Sequence, residues 1–144
     1  MWLYGSCIGR SSSAELSEAI NSMYAWYRSA SICYAHLADV VSTTHQQSLG
    51  EDFWAASWWT RGWTLQELLA PFEVEFFSAD WEPLGAKTEL CERIAERTGI
   101  DAEYLSDSSN LGLPESLDSA SIAKRMSWAS ARQTTRPEVL LIAC

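Results

Sequence analysis

A tryptophan-rich stretch, residues 54–71, constrains the fold of this chain more than any other feature. It contains four of the eight tryptophans in the chain, Trp54, Trp58, Trp59 and Trp63. Such rings bury much apolar area, and each indole N–H needs only one acceptor, so the stretch predicts anchors of a hydrophobic core. No residue from Trp63 to Leu69 breaks a helix, and Pro71 then ends it, because a proline ring blocks helix continuation.

Three polar side chains, Arg61, Gln66 and Glu67, lie among these rings. Trp63, Gln66 and Glu67 recur at three- and four-residue spacing, so they share one face of the predicted helix. Charged groups beside so much aromatic surface must be paired or solvated at a cleft. Two interpretations therefore stay open, a paired structural network and a functional polar site. Composition alone does not decide between them.

Residues 59–67, read as aromatic-x-Arg-x-Trp-Thr-Leu-Gln-Glu, resemble the most recognisable block of the fungal heterokaryon-incompatibility (HET) domain. Two further segments agree in order. Residues 11–35 resemble the early helix and following strand of that family, and residues 123–138 resemble its later block. The three blocks together cover most of the chain.

Size and charge narrow the function classes. The chain has 144 residues, 47% hydrophobic and 20% charged, which indicates one globular domain. Its net charge is −9, and residues 73–118 carry three bases against twelve acids. This acidity disfavours binding to nucleic acid or anionic lipid. No apolar run is long enough to span a membrane. Four scattered cysteines without a C-x-x-C pair suit reduced thiols in an intracellular protein.

Hydrophobic spacing predicts strands alternating with helices, and hence an α/β fold with a parallel sheet. The predicted helices cover residues 13–29, 63–69, 83–98 and 122–129; the predicted strands cover 32–40 and 73–78, the second near a sheet edge; the predicted loops cover 42–52 and 106–121. Gly99 is expected to stop the third helix, and Glu89–Arg93 to form an i,i+4 pair on it.

Two acidic residues outside the tryptophan block are further candidates. Asp39 would lie near the carboxyl end of the first strand, where ligands of open α/β sheets collect, although a turn or cap aspartate is an equal alternative. Glu15 matches a glutamate of the family's early helix, but it also completes a capping box with Ser12, which we favour. Cys33, His36 and His45 do not form a convincing metal set, so no metal is predicted.

The resemblance implies a flavodoxin-like fold similar to that of TIR domains. The family's first conserved strand carries two aspartates where this chain has Tyr4 and Gly9, and another strand normally precedes it. The chain is therefore expected to be a single HET domain over residues 1–144 that is incomplete and lacks its first strand.

The same resemblance implies a cytoplasmic signalling module of fungal non-self recognition and programmed cell death. It would act through protein partners or self-association and require no cofactor. The alternative is a TIR-like NAD glycohydrolase, with NAD as substrate. Glu67 or Glu15 would then act on the ribose, Arg61 on the pyrophosphate and a tryptophan on nicotinamide; the ligand-binding candidates are Arg61, Trp63, Gln66 and Asp39. The altered aspartates weigh against the enzyme, and an inactive truncated remnant is a third hypothesis.

Overall fold

The computed structural model describes residues 22–41, 49–105 and 119–133. These residues form an α/β arrangement of one sheet and several short helices. In chain order the elements are helix α1 (which includes residues 22–29), β1 (Ile32–His36), α2 (Glu51–Ala55), a 3₁₀-helix (Ser57–Thr60), α3 (Thr64–Leu69), β2 (Glu73–Phe77), β3 (Pro83–Ala86), α4 (Lys87–Thr98), a second 3₁₀-helix (Ala102–Tyr104) and α5 (Ile122–Ser130).

The described sheet has three strands in the order β1-β2-β3. Strands β1 and β2 run parallel, with Ile32 beside Glu73 and His36 beside Phe77. Strand β3 returns antiparallel to β2, and its register shifts between Phe76 and Phe77. The described sheet is therefore mixed, which corrects the prediction of a parallel sheet.

The two faces of the sheet differ sharply. Ala35, Val74 and Phe76 are buried on one face, where they join the main hydrophobic cluster with residues of the helices. Ile32 and Tyr34 alternate with the buried positions of β1 and are exposed on the other face. Because successive strand residues point to opposite sides, this alternation separates a core face from an outer face.

The segment from residue 83 to residue 98 differs from its prediction as one helix. Pro83–Ala86 forms strand β3, and the helix begins only at Lys87. A tight connection favours this pairing, because the Ser78 N–H donates to the Glu82 carbonyl at 2.9 Å and the Glu82 N–H donates to the Ser78 hydroxyl at 3.1 Å. Strand β2 consequently lies between two neighbours, not at an edge of the described sheet.

Other elements follow the sequence more closely. Helices α3 and α5 lie where predicted, and Gly99 ends α4 with φ of 71°, the left-handed conformation of a helix stop. Strand β1 is shorter than predicted, and Glu51 starts helix α2 inside the predicted loop. The predicted Glu89–Arg93 pair is wrong, since the Glu89 carboxylate accepts the Ala86 N–H and Arg93 donates to the Leu49 carbonyl.

Several predictions fall outside the described residues. They concern Ser12, Glu15, His45, the departures at Tyr4 and Gly9, and most of the predicted loop over residues 106–121. Within the part of the chain that is described, no helix combines the length and apolar character that crossing a membrane requires.

Candidate functional site

The carboxylate of Glu67 is held from two sides. The Tyr27 hydroxyl, on helix α1, donates to Oε1 at 3.1 Å, and the Trp58 indole N–H donates to Oε2 at 3.2 Å. Burial raises the pKa of Glu67 above its usual 4.5, against the lowering effect of both hydrogen bonds and of the charges on Arg61 and Arg132. Glu67 remains partly accessible to solvent, so it combines a fixed position with an elevated pKa.

Arg132 fixes the other side of this region. It is only 7% exposed, and its Nη1 donates to the Arg61 carbonyl at 3.2 Å and to the Thr64 hydroxyl at 2.8 Å. Burial lowers the pKa of Arg132 to about 10, although the charge of Glu67 opposes that shift. The guanidinium thus joins the segment after α5 to the turn that precedes α3.

Backbone bonds reinforce this junction. The Gly62 N–H donates to the Gln133 carbonyl at 2.9 Å, and the Gln133 N–H donates to the Thr60 carbonyl at 2.6 Å. Arg61 and Gln133 form a parallel bridge at the same place. Parts of all three segments that carried the family resemblance therefore meet around α3, because Tyr27 comes from the early one and Arg132 from the late one.

Gln66, the neighbour of Glu67, is the main anomaly of the region. Its side chain is 1% exposed, and within the described residues neither its amide nitrogen nor its amide oxygen has a hydrogen-bond partner. An unsatisfied buried polar group costs about 1–3 kcal/mol. Such a group calls for a specific explanation, and a donor and acceptor on one side chain can both serve a bound molecule.

The tryptophans act mainly as core anchors, as predicted. Trp58 and Trp59 are buried, and the centre of each ring lies 5.4 Å from the ring centre of Phe76 on β2. The Trp59 indole N–H donates to the Phe53 carbonyl at 2.7 Å, which satisfies its one donor. Trp63 is partly buried at the start of α3.

Two further ionisable groups lie near α3: Cys33, which was considered in the sequence only as a metal ligand, and Lys87, which was not considered. Burial raises the pKa of the Cys33 thiol to about 11, with a further rise from the charge of Glu67, so this thiol is protonated and a poor nucleophile. Burial lowers the pKa of Lys87 to about 8. The Lys87 ammonium donates to the carbonyls of Leu68 and Pro71 at 3.3 and 2.7 Å, where α3 ends.

The candidate residues divide into a group near α3 and an outlier. Glu67 and Gln66 are adjacent on α3. The charge of Arg61 lowers the pKa of Glu67, although the Arg61 side chain is exposed. Asp39 is exposed and accepts the Ser57 N–H at 2.7 Å, which supports its alternative role as a turn aspartate. Sequence reasoning missed the contacts of Tyr27, Trp58 and Arg132 with this region.

The arrangement suits stabilisation of positive charge or exchange of a proton at Glu67. A carboxyl of raised pKa holds or accepts a proton more readily than an ordinary carboxyl, and its ionised form favours a cationic centre. Among the described residues no group of three or more His, Cys, Asp and Glu side chains is placed to hold a metal ion.

Comparison with known proteins gives one clear relationship. The chain is 44% identical over 142 residues, which cover 95% of its length, to the vegetative incompatibility protein HET-E-1 of Podospora anserina. The chain spans 10% of the length of that protein. No protein-family model matches the chain, and no solved structure matches it significantly. The predicted resemblance is confirmed as a relationship in sequence: the chain is related to a fungal heterokaryon-incompatibility protein.

Proposed function

We propose that this chain is a signalling module of fungal heterokaryon incompatibility, in which recognition of non-self leads to programmed cell death. The relationship to HET-E-1 over nearly the whole chain carries this proposal. The module would act in the cytoplasm through protein partners or self-association, with no required cofactor, on a flavodoxin- or TIR-like fold.

The network around α3 supports the proposal from the structural side. Three separate parts of the chain converge there on a buried guanidinium and a largely buried carboxylate. Buried polar networks are costly unless satisfied, and when satisfied they favour one arrangement of the elements they join. A module that signals by presenting a fixed surface would use such a network to define that surface.

Inducible expression of the chain in a filamentous fungus tests this function. We expect growth arrest and cell death from the wild-type chain, and a reduced response from Arg132→Ala at matched protein abundance. Glu92→Gln, which changes an exposed residue of α4, is the control and should leave death intact. Wild-type chain that accumulates without any effect on growth would contradict the signalling function and favour an inactive remnant.

The position of Glu67 favours a second candidate, hydrolysis of NAD. Breaking the bond between nicotinamide and ribose leaves positive charge on the ribose carbon, which a carboxylate such as Glu67 would stabilise. Water then adds its oxygen to that carbon and loses a proton, while nicotinamide leaves with the bonding electron pair. The exposed Arg61 would bind the pyrophosphate, and Trp63 would contact the base. Gln66, whose amide has no partner among the described residues, would join them once the bound base made it accessible.

Measurement of NAD in the same cells separates the two candidates. Cell death with loss of NAD that disappears in Glu67→Gln would identify the hydrolase. Cell death with unchanged NAD would identify signalling without catalysis. Release of nicotinamide by the purified chain gives an independent readout, and Glu92→Gln is again the matched control because it neutralises a carboxylate away from α3.

A further inference from the structure

The outer face of the sheet presents a group of aromatic rings to solvent. We name Tyr34, His36, Phe77 and Trp81 the aromatic face. Tyr34 and Trp81 are 56% and 57% exposed. Tyr34 packs edge-on against Phe77 with ring centres 5.5 Å apart, and Trp81 stacks on His36 at 4.5 Å with an angle of 21° between the ring planes. Phe77 also lies 5.9 Å from Trp81 between ring centres, so the four rings form one contiguous aromatic surface, and exposed surfaces of this kind mark interaction sites.

Trp81 reaches this surface through an unusual backbone conformation. Its φ is 62°, which is rare for a bulky residue. The Trp81 N–H donates to the Ser78 carbonyl at 3.0 Å, and the stack on His36 holds the ring. The turn thus directs a large ring onto the face although more than half of the ring stays exposed, an arrangement that packing among the described residues alone does not explain.

Three acidic residues accompany the rings, one by its register in the sheet and two as sequence neighbours of Trp81. Glu75 lies on the same side of the sheet and is directly across from Tyr34, while Asp80 and Glu82 flank Trp81. Within the described residues no hydrogen bond or ion pair engages any of these three carboxylates. The ranges that form this surface, 32–36 and 73–82, contain no lysine or arginine. The surface is therefore aromatic and uniformly acidic.

We propose that the aromatic face, with Glu75, Asp80 and Glu82, is a docking site for an arginine-rich segment of a partner protein. Arginine matches this chemistry, because its flat guanidinium stacks on aromatic rings while its charge pairs with carboxylates. The chain already uses such contacts internally, since Arg93 and Arg97 lie 5.3 and 5.7 Å from the Trp54 ring centre. The negative charge opposes nucleic acid and anionic membranes. None of the residues of the Glu67 region takes part.

Binding of a fluorescently labelled peptide with alternating arginine and glycine tests the proposal by anisotropy at physiological ionic strength. Two surface variants are used. The first, a carboxylate variant, combines Glu75→Gln, Asp80→Asn and Glu82→Gln. The second, the ring variant, combines Tyr34→Thr and Trp81→Asn. Asparagine tolerates the left-handed backbone of position 81, and threonine suits a strand, so both variants are expected to fold. Circular dichroism checks this. We expect each variant to weaken binding at least tenfold, and a peptide with citrulline in place of arginine to bind at least tenfold more weakly.

Matched controls distinguish this site from general attraction to an acidic protein. Asp52→Asn with Glu92→Gln and Glu96→Gln removes three exposed carboxylates from α2 and α4, and Ile122→Gln with Met126→Gln removes exposed apolar side chains from α5. Both controls should change affinity less than threefold. Equal weakening by the two carboxylate variants would overturn the proposal, as would unchanged binding in the ring variant. A homodimer that the ring variant dissociates and that excludes the peptide would instead assign the surface to a second copy.

Discussion

At the scale of single residues, the region around α3 takes three ionisable side chains largely out of water. Lys87 rests on carbonyl oxygens at the end of the helix, Glu67 accepts two hydrogen bonds, and Arg132 donates to a carbonyl and a hydroxyl. In each case burial is the largest influence on the pKa and acts against the charged form. The hydrogen bonds offset only part of that penalty, so the pH dependence of stability can reveal each group.

Lys87 should make the protein more stable as pH rises through mildly alkaline values. Its pKa is about 8 in the folded chain and 10.5 in the reference state, so between these values the unfolded chain binds the additional proton. The free energy of unfolding contributed by Lys87 therefore increases over this window, by at most about 3 kcal/mol. Lys87→Met removes the titration.

Urea unfolding of both proteins between pH 8 and pH 10 measures this difference. The free energy of unfolding of the wild type should increase relative to that of Lys87→Met as pH rises. The Cys33 thiol, whose pKa is raised to about 11, acts in the opposite direction above pH 9, but it is present in both proteins. Parallel pH profiles for the two proteins would show that Lys87 is solvated in the folded chain.

Glu67 should make the protein more stable as pH falls through the folded-state pKa of its carboxyl group. Its folded-state pKa lies above the reference 4.5, so the ionised carboxylate reduces stability at neutral pH, and this loss is recovered as pH falls through the folded pKa. Glu67→Gln is expected to be at least as stable as wild type at neutral pH, with the advantage disappearing toward pH 4.

Thermal or urea unfolding of the two proteins over that range is the measurement, with exposed Glu92→Gln as a control that should show no such trend. A Glu67→Gln variant less stable than wild type by more than about 1 kcal/mol at neutral pH would show that hydrogen bonds and charge attraction from the arginines exceed desolvation.

At the scale of elements, the junction between α5 and α3 combines backbone hydrogen bonds with one buried side chain, Arg132, that sequence spacing did not indicate. Arg132→Ala should lower the free energy of unfolding by about 3 kcal/mol, because it removes buried volume and the charged donor to the Arg61 carbonyl and the Thr64 hydroxyl. Arg125→Ala, on the preceding helix, is the matched control and should cost less than 1 kcal/mol. Its guanidinium Nε is buried without a partner in the described part of the chain.

Chemical denaturation checks this prediction, and a change of the denaturant slope would further show that the C-terminal segment separates from the rest. A loss in Arg132→Ala no larger than in Arg125→Ala would mean that the backbone bridge at Gln133 holds the junction alone.

Elements with a clear period were predictable, and those decided by distant pairing were not. The apolar spacing of Leu65 and Leu68 and the stop at Pro71 correctly indicated α3, and the alternation in Glu73–Phe77 correctly indicated a strand. Pro83–Ala86 has helix-compatible neighbours and no strand period, yet it pairs with β2 because the turn at Ser78 brings it back. Pairing with β2, and not local sequence preference, therefore determines the conformation of that segment.

At the scale of the whole molecule, the candidate site also combines residues that are close in sequence with residues that only the fold brings together. Sequence reasoning identified Glu67, Gln66 and Arg61 because they cluster within seven positions. It missed Tyr27 and Arg132 because these two partners of the site are remote in the chain. Tyr27 lies 40 residues before Glu67, and Arg132 lies 68 residues after Thr64. A family resemblance indicated which segments matter, but only coordinates show which atoms meet.

The charge of the whole molecule supports a last prediction. The chain carries a net charge of −9, and the ion pairs of its described residues, Arg97–Glu51 and Lys124 with Asp101 and Glu103, are exposed. Exposed pairs each contribute about 0–1 kcal/mol, so repulsion among the excess acids should outweigh them. Stability should therefore rise when sodium chloride increases from about 10 mM to about 150 mM, because the screening length falls from about 30 Å to about 8 Å.

A gain of about 1 kcal/mol would raise the melting temperature by about 2–8 °C, which scanning calorimetry resolves. Asp52→Asn with Glu92→Gln and Glu96→Gln reduces the excess of acids and should halve the salt effect or more. Sodium chloride is preferred to sulfate, since sulfate also strengthens apolar burial and would raise stability for another reason. A melting temperature that falls as sodium chloride is added would show that the exposed ion pairs, and not repulsion among carboxylates, dominate the electrostatic free energy of this fold.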